Sequence, residues 1–258
     1  MKFSCPILRF FSKLFMKRFK LKISKLEGND FMLKSIKLLL IVIAMFATLS
    51  FGYEHTFTDL GIAHRLSMIE KKLLLINFSS PSCYYCKLFE KEVLPNKDVQ
   101  EILRGNYIFV KIEPGSYKTT FLGKTYTNDQ LFGGFGVRGT PTFVFLKDQG
   151  QVTQVPGFMP APDFLKALRF IVKVVDENYK GTFEEYSKKN EDYKGKPTIV
   201  NVKKEDADYV LKYDKNAQSV DSVPSKVDIN TLYVTTNSDV AKKLNGMGVI
   251  RVLLVSSK

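Results

Sequence analysis

Leu73-Leu74-Leu75-Ile76-Asn77-Phe78-Ser79-Ser80-Pro81-Ser82-Cys83-Tyr84-Tyr85-Cys86-Lys87-Leu88-Phe89-Glu90 is the stretch on which the fold turns. It opens as a short apolar run of buried-strand character, passes through Ser/Pro turn chemistry, and enters the first turn of a helix. Such a turn carries backbone N–H groups with no partner inside the helix, and the peptide dipoles add a partial positive charge there. A thiol at that position is stabilised as thiolate, which lowers its pKa and makes it a nucleophile near neutral pH. Cys83 is that thiol. Cys86, one turn further on, is placed to attack a mixed disulfide formed at Cys83.

The chain has 258 residues, 45% of them hydrophobic, which is ample for a core. Its formal charge of +13 raises the question of nucleic acid or an anionic membrane, but the excess is local. Residues 1–52 carry ten Lys/Arg against Glu27 and Asp30, a net +8, which leaves +5 for residues 53–258. No nucleic-acid partner is expected from that distribution. The N-terminal part has the grammar of a leader: a basic stretch, Met32-Leu33-Lys34-Ser35-Ile36-Lys37, a fourteen-residue apolar run over 38–51, and small residues in Ser50-Phe51-Gly52 for cleavage. A membrane span needs about 20 apolar residues, so a cleaved signal peptide with translation starting at Met32 is the expectation. The alternatives are an uncleaved inner-membrane anchor and, for residues 1–31, a basic amphipathic helix on a membrane surface. Cleavage removes Cys5 and leaves Cys83 and Cys86 as the remaining thiols, in a periplasmic or other exported compartment that oxidises stray cysteines. A pair with only two residues between its cysteines closes too short a loop to be a useful structural bridge, so it reads as catalytic.

Around this stretch the pattern is that of a mixed α/β domain. Residues 56–71 read as a helix with Ile62, Leu66 and Ile69 on one face, and 73–78 as a buried strand. The cysteine-bearing helix runs to Leu94 and stops at Pro95; a short helix over 98–103 leads to a strand over 107–112. Residues 118–127 alternate around Gly123 as an inserted hairpin, and Asn128 reads as the cap of a short helix. Residues 141–146 and 151–155 form a hairpin around Asp148-Gln149-Gly150, and Pro162 and Asp163 open a periodic helix through Phe164, Leu168, Ile171, Val172 and Val175. Residues 179–196 are polar, with the capping-box pattern Thr182-Phe183-Glu184-Glu185, and read as a docked helix and linker. Strands over 198–202, 232–235 and 249–255 with a helix over 239–244 make a small C-terminal α/β appendage over 197–258. Its tail resembles the end of a rhodanese-like domain but lacks the cysteine that would carry sulfur.

A strand leading into Cys83-Tyr84-Tyr85-Cys86, a later Gly139-Thr140-Pro141 before a hairpin, and a closing helix together resemble the thioredoxin fold, over residues 56–178. The dipeptide between the cysteines, Thr140 before Pro141, and the insertion at 118–128 most resemble exported thioredoxins of sulfur-oxidation gene clusters and the catalytic domain of bacterial disulfide isomerases. The resemblance implies a central mixed sheet flanked by helices, no cofactor, and Pro141 in the cis form against the cysteines. It implies further that the Thr140 backbone pairs with an extended client. Two departures stand out. Asn77 occupies the place, six residues before Cys83, where many thioredoxins have an aspartate that takes the proton of the resolving thiol, and Asn cannot be that base. Lys111 and Glu113 on the neighbouring strand are the candidates for a replacement proton relay, against the plainer reading of a solvated pair. The chain also has no tryptophan, and Ser82 stands where an aromatic usually precedes the motif; Tyr84 and Tyr85 are the candidates to supply apolar surface to substrate.

Competing chemistries find less support. A zinc site needs four N/S ligands, and residues 53–258 add only His55 and His64, read as surface residues of a polar helical stretch. Gly134, Gly136 and Gly139 match the dinucleotide fingerprint formally, but a helix precedes and a strand follows, the reverse of what that motif requires. Phe143, Phe145, Phe158 and Met159 read as core. The expectation is an exported thiol-disulfide oxidoreductase that reduces client disulfides and is recharged by a membrane or periplasmic electron donor. Reduction is favoured because the dipeptide between the cysteines holds no histidine or cation to deepen the thiolate well. The alternatives are an oxidase or isomerase, and a non-catalytic module that holds clients in the Thr140-Pro141 groove.

Overall fold

The computed structural model describes residues 53–189 and 191–256. The expected leader, the start at Met32 and the fate of Cys5 fall outside the described residues.

Thr56–Phe57 (β1) pair in parallel with Phe109 and Val110 and are not helical. The expected helix therefore begins later, as α1 (Leu60–Glu70). Asp59 sets that start: it is extended, and its Oδ1 accepts the Ile62 N–H at 2.8 Å, so the chain before it is free to pair as a strand. Leu73–Phe78 (β2) leads into α2 (Tyr84–Leu88), which widens into a π-helical turn over Phe89–Val93. The Leu94 N–H closes that turn on the Phe89 carbonyl at 3.1 Å, directly before Pro95, which has no N–H to continue it. Asn96 then caps α3 (Lys97–Asn106), which leads to β3 (Tyr107–Ile112). The inserted hairpin is β4 (Lys118–Phe121) and β5 (Lys124–Thr127), as the alternation indicates. The cap of the next helix, α4 (Asn128–Gly134), is Thr127 rather than Asn128: Thr127 and Gln130 form the capping box. Asn128 turns inward, and its side-chain amide donates to the Glu113 carbonyl at 2.8 Å. The hairpin β6 (Thr142–Lys147) and β7 (Gly150–Pro156) precedes α5 (Ala161–Glu177).

These strands form a five-stranded mixed sheet in the order β1-β3-β2-β6-β7, parallel through β2 and antiparallel beyond it. Because side chains alternate along β2, Leu73 and Leu75 face one layer while Leu74, Ile76 and Phe78 face the other. Phe89, Leu103, Phe164 and Leu168 cover the first face. Leu60, Ala63 and Leu66 of α1 cover the second.

After α6 (Phe183–Ser187), capped by Thr182 and Glu185 as the pattern indicates, the chain forms a second sheet. It runs β8 (Thr198–Val202), β11 (Arg251–Val255), β10 (Leu232–Thr235), β9 (Ala217–Ser219), all parallel. The sequence reading lacks two of its elements, α7 (Lys204–Tyr213) and the three-residue β9. Only Ala207 and Val210 of α7 are buried, too few to mark a helical stripe. These two residues, with Leu232, Val234 and Leu253, join the same core cluster as α1, so the second sheet is continuous with the first through α7. The helix α8 (Ser238–Gly246) covers the other face with Val240, Ala241 and Leu244.

Candidate functional site

Cys83 sits at the N-cap of α2 in extended conformation, and its Sγ accepts the Cys86 N–H at 3.0 Å. The two cysteines are joined in a disulfide with Cα atoms 5.3 Å apart. Their exposure differs in a way that matters: Cys83 is half-buried at the surface, whereas Cys86 is 2% exposed. The sulfur that solvent can reach is the one that receives a backbone N–H at a helix start.

The loop before β6 approaches from the opposite side. The Thr140–Pro141 peptide bond is cis, and the Thr140 carbonyl oxygen lies 3.3 Å from Cys83 Sγ. Around it, Thr142 Oγ1 donates to the Gly139 carbonyl at 2.7 Å and the Gly157 N–H donates to the Pro141 carbonyl at 2.8 Å. The loop is thus held on both sides of the proline. Tyr84 and Tyr85 are 70% and 56% exposed, stacked edge to face at 5.4 Å, and Tyr85 lies 5.9 Å from the ring of Phe158. Three rings therefore border the dithiol. Phe158, expected in the core, is half-exposed; Phe143 and Phe145 are fully buried as expected.

On β2, Asn77 is buried and its Oδ1 has no donor. Lys111 is its register partner on β3. The Lys111 ammonium donates to Glu90 Oε1 and lies at the same 3.1 Å from Glu113 Oε1. Partial burial works to lower the Lys111 pKa, but the bonds and charges of Glu90 and Glu113 outweigh it and hold the ammonium above the ordinary lysine value. Lys111 is therefore charged at neutral pH and is not itself a free base. Glu90 went unnamed in the sequence reading, although its position, one helical turn after Cys86, was the available signal. Thr58, Lys111, Glu113, Tyr117 and Asn128 line a cavity of about 130 Å³.

His55 and His64 are half-buried rather than free surface residues. His64 Nε2 lies 3.1 Å from the Asp148 carbonyl oxygen with its ring against Phe121, and His55 packs on Tyr53 with its pKa pushed down by burial. Among the described residues no group of three or more His, Cys, Asp or Glu is arranged to hold a metal ion.

The mixed sheet, Cys83 at the helix N-cap and the Cys83–Cys86 disulfide together make a thioredoxin-like fold that carries a redox-capable cysteine pair. Residues 65–171 match the family model described as a thioredoxin-like domain. The chain is 26% identical over 157 residues to the thiol:disulfide interchange protein DsbD of Pseudoalteromonas atlantica, an alignment that takes in 51% of this chain. The match spans 25% of that relative's length. Among solved structures, a thioredoxin-fold protein from Helicobacter pylori superposes with a TM-score of 0.40 at 19% identity, covering 52% of this chain and 87% of that one. A thioredoxin from Thermus thermophilus gives 0.39 at 26% identity, covering 48% and 92%.

Proposed function

We propose that this protein is an exported reductant of protein disulfides, with Cys83 as nucleophile and Cys86 as resolving thiol. The observation that carries the reading is the asymmetry of the pair: Cys83 is accessible and accepts the Cys86 N–H at 3.0 Å, and Cys86 is buried behind it. In the reduced protein the same N–H stabilises the Cys83 thiolate. That thiolate attacks one sulfur of a client disulfide, forming a mixed disulfide and expelling the client's other sulfur as thiolate. Cys86, once deprotonated, attacks Cys83 Sγ, forms the Cys83–Cys86 disulfide and releases the second client thiolate. Two electrons and two protons from a membrane or periplasmic donor restore the dithiol. Tyr84 and Tyr85 offer the client apolar surface, and Thr140 with Pro141 forms the opposite wall.

Proton removal from Cys86 needs a route other than an aspartate at position 77. Glu90, one turn after Cys86 and ion-paired with Lys111, is the base we assign to this step. Export rests on the leader pattern over 32–52, and direction on the absence of a cation between the cysteines. The test is an equilibrium titration against glutathione together with trapping by Cys86→Ser. A potential at the reducing end of the range, and mixed disulfides with exported proteins, support the assignment. A potential near the strong oxidants, roughly 150 mV higher, reverses its direction.

A further inference from the structure

We propose that Glu70 and Asp214 share one buried proton beside Lys72, and that this proton latches the second sheet onto the first. Glu70 ends α1, Lys72 enters β2, and Asp214 caps the end of α7, so the three groups sit where the two sheet layers meet. Their side chains are 0%, 1% and 3% exposed. Lys72 Nζ lies 2.8 Å from Glu70 Oε2 and 3.9 Å from Asp214 Oδ2, so both carboxyl groups face one ammonium. Both Glu70 oxygens and Asp214 Oδ2 are buried without an aligned donor. Two carboxylates around one ammonium in a dry site leave an uncompensated negative charge, and a shared proton removes it while supplying the missing hydrogen bond.

The surrounding groups do not supply an alternative. Arg104 is engaged by Asp228 at 2.9 Å, and Arg251 donates to the carbonyls of Lys196 and Ile250 and pairs with Asp176. Burial pushes the Tyr53 hydroxyl well above its ordinary pKa and the His55 imidazole below its own, so neither adds charge at neutral pH. Asp214 Oδ1 accepts the Asn216 N–H at 2.8 Å, which leaves Oδ2 as the oxygen turned toward Lys72 and the shared proton. Burial first, then opposed by Lys72 and assisted by Asp214, raises the Glu70 pKa to about 8. Because the folded value lies above the unfolded value of 4.5, the stabilisation is complete in acid and is lost as pH rises toward about 8. Ionisation at that point sets two carboxylates against each other across the junction.

Infrared spectroscopy of the full chain tests this directly. A protonated-carboxyl C=O band is expected at pH 7, titrating near pH 8 and absent from Glu70→Gln. Hydrogen exchange over residues 204–219, corrected for the intrinsic base-catalysed rate, should rise at least tenfold between pH 7 and 9 in the wild type and stay level in Glu70→Gln. A wild-type spectrum without the band at pH 7, or a band that Glu70→Gln retains, overturns the proposal; so does level wild-type exchange. Should Glu70→Gln fail to fold, the wild-type titration and Asp214→Asn decide in its place: removing the Asp214 charge should move the titration of the band to lower pH, and an unshifted band overturns the proposal.

Discussion

Asn77→Asp puts a carboxylate into a buried site that in this chain holds a neutral amide. Asn77 is buried, its Oδ1 has no donor, and its register partner Lys111 is already committed to Glu90 and Glu113. A carboxylate introduced there is desolvated without a cation of its own, so its pKa should rise by about 3 units from the unfolded value near 3.9. Each unit is worth about 1.4 kcal/mol, so the folded state should lose about 4 kcal/mol at pH 7.5. The sign follows from the raised folded value: the penalty is absent at acid pH, where both states are protonated, and grows between about pH 4 and pH 7. Urea denaturation of the oxidised variant and wild type at pH 4 and pH 7.5 measures the difference. If the cost is equal at the two pH values, it comes from misfit rather than charge. If there is none at pH 7.5, Lys111 or water solvates the site and the account of Asn77 as a dry position is wrong.

Other outcomes follow from the same geometry. Cys86→Ser should accumulate mixed disulfides at Cys83 that Cys83→Ser never forms, read on non-reducing gels. Glu90→Gln should slow resolution of a mixed disulfide by 10-fold to 100-fold at pH 7 while the first attack, followed by alkylation of Cys83, changes less than twofold, a split that a general loss of structure would not produce. Replacing both Tyr84 and Tyr85 with Ala should raise KM for protein clients about tenfold and leave reduction of a small disulfide unchanged, since the rings contact only the larger substrate. Arg251→Ala should cost about 3–5 kcal/mol in denaturant unfolding, because it strips a nearly buried cation from Asp176 and from the Lys196 carbonyl.

The first sheet was legible because its signals are local. The apolar run over Leu73–Phe78, the turn chemistry before Cys83 and Pro95 after the helix each act within a few residues, and the strands Leu73–Phe78 and Tyr107–Ile112 fall where the pattern places them. The reading faltered where an element owes its state to a distant partner. Thr56–Phe57 is a strand because Phe109 and Val110 are there to pair with it, and α7 is a helix with only two buried residues because α1 and the second sheet receive it.

Sequence alone was enough to establish the dithiol, its spacing, the identity of the two residues between the cysteines, and Asn77 in place of an acid. Those are covalent facts, and the thiol chemistry they imply depends on one turn of helix. Tertiary structure decided which sulfur faces solvent, that the Thr140 carbonyl stands 3.3 Å from it, that Glu90 and Lys111 pair across elements, and that Glu70, Lys72 and Asp214 converge from separate elements. Exposure, desolvation and charge pairing depend on what the rest of the chain places alongside. No run of residues carries that information before the layers close.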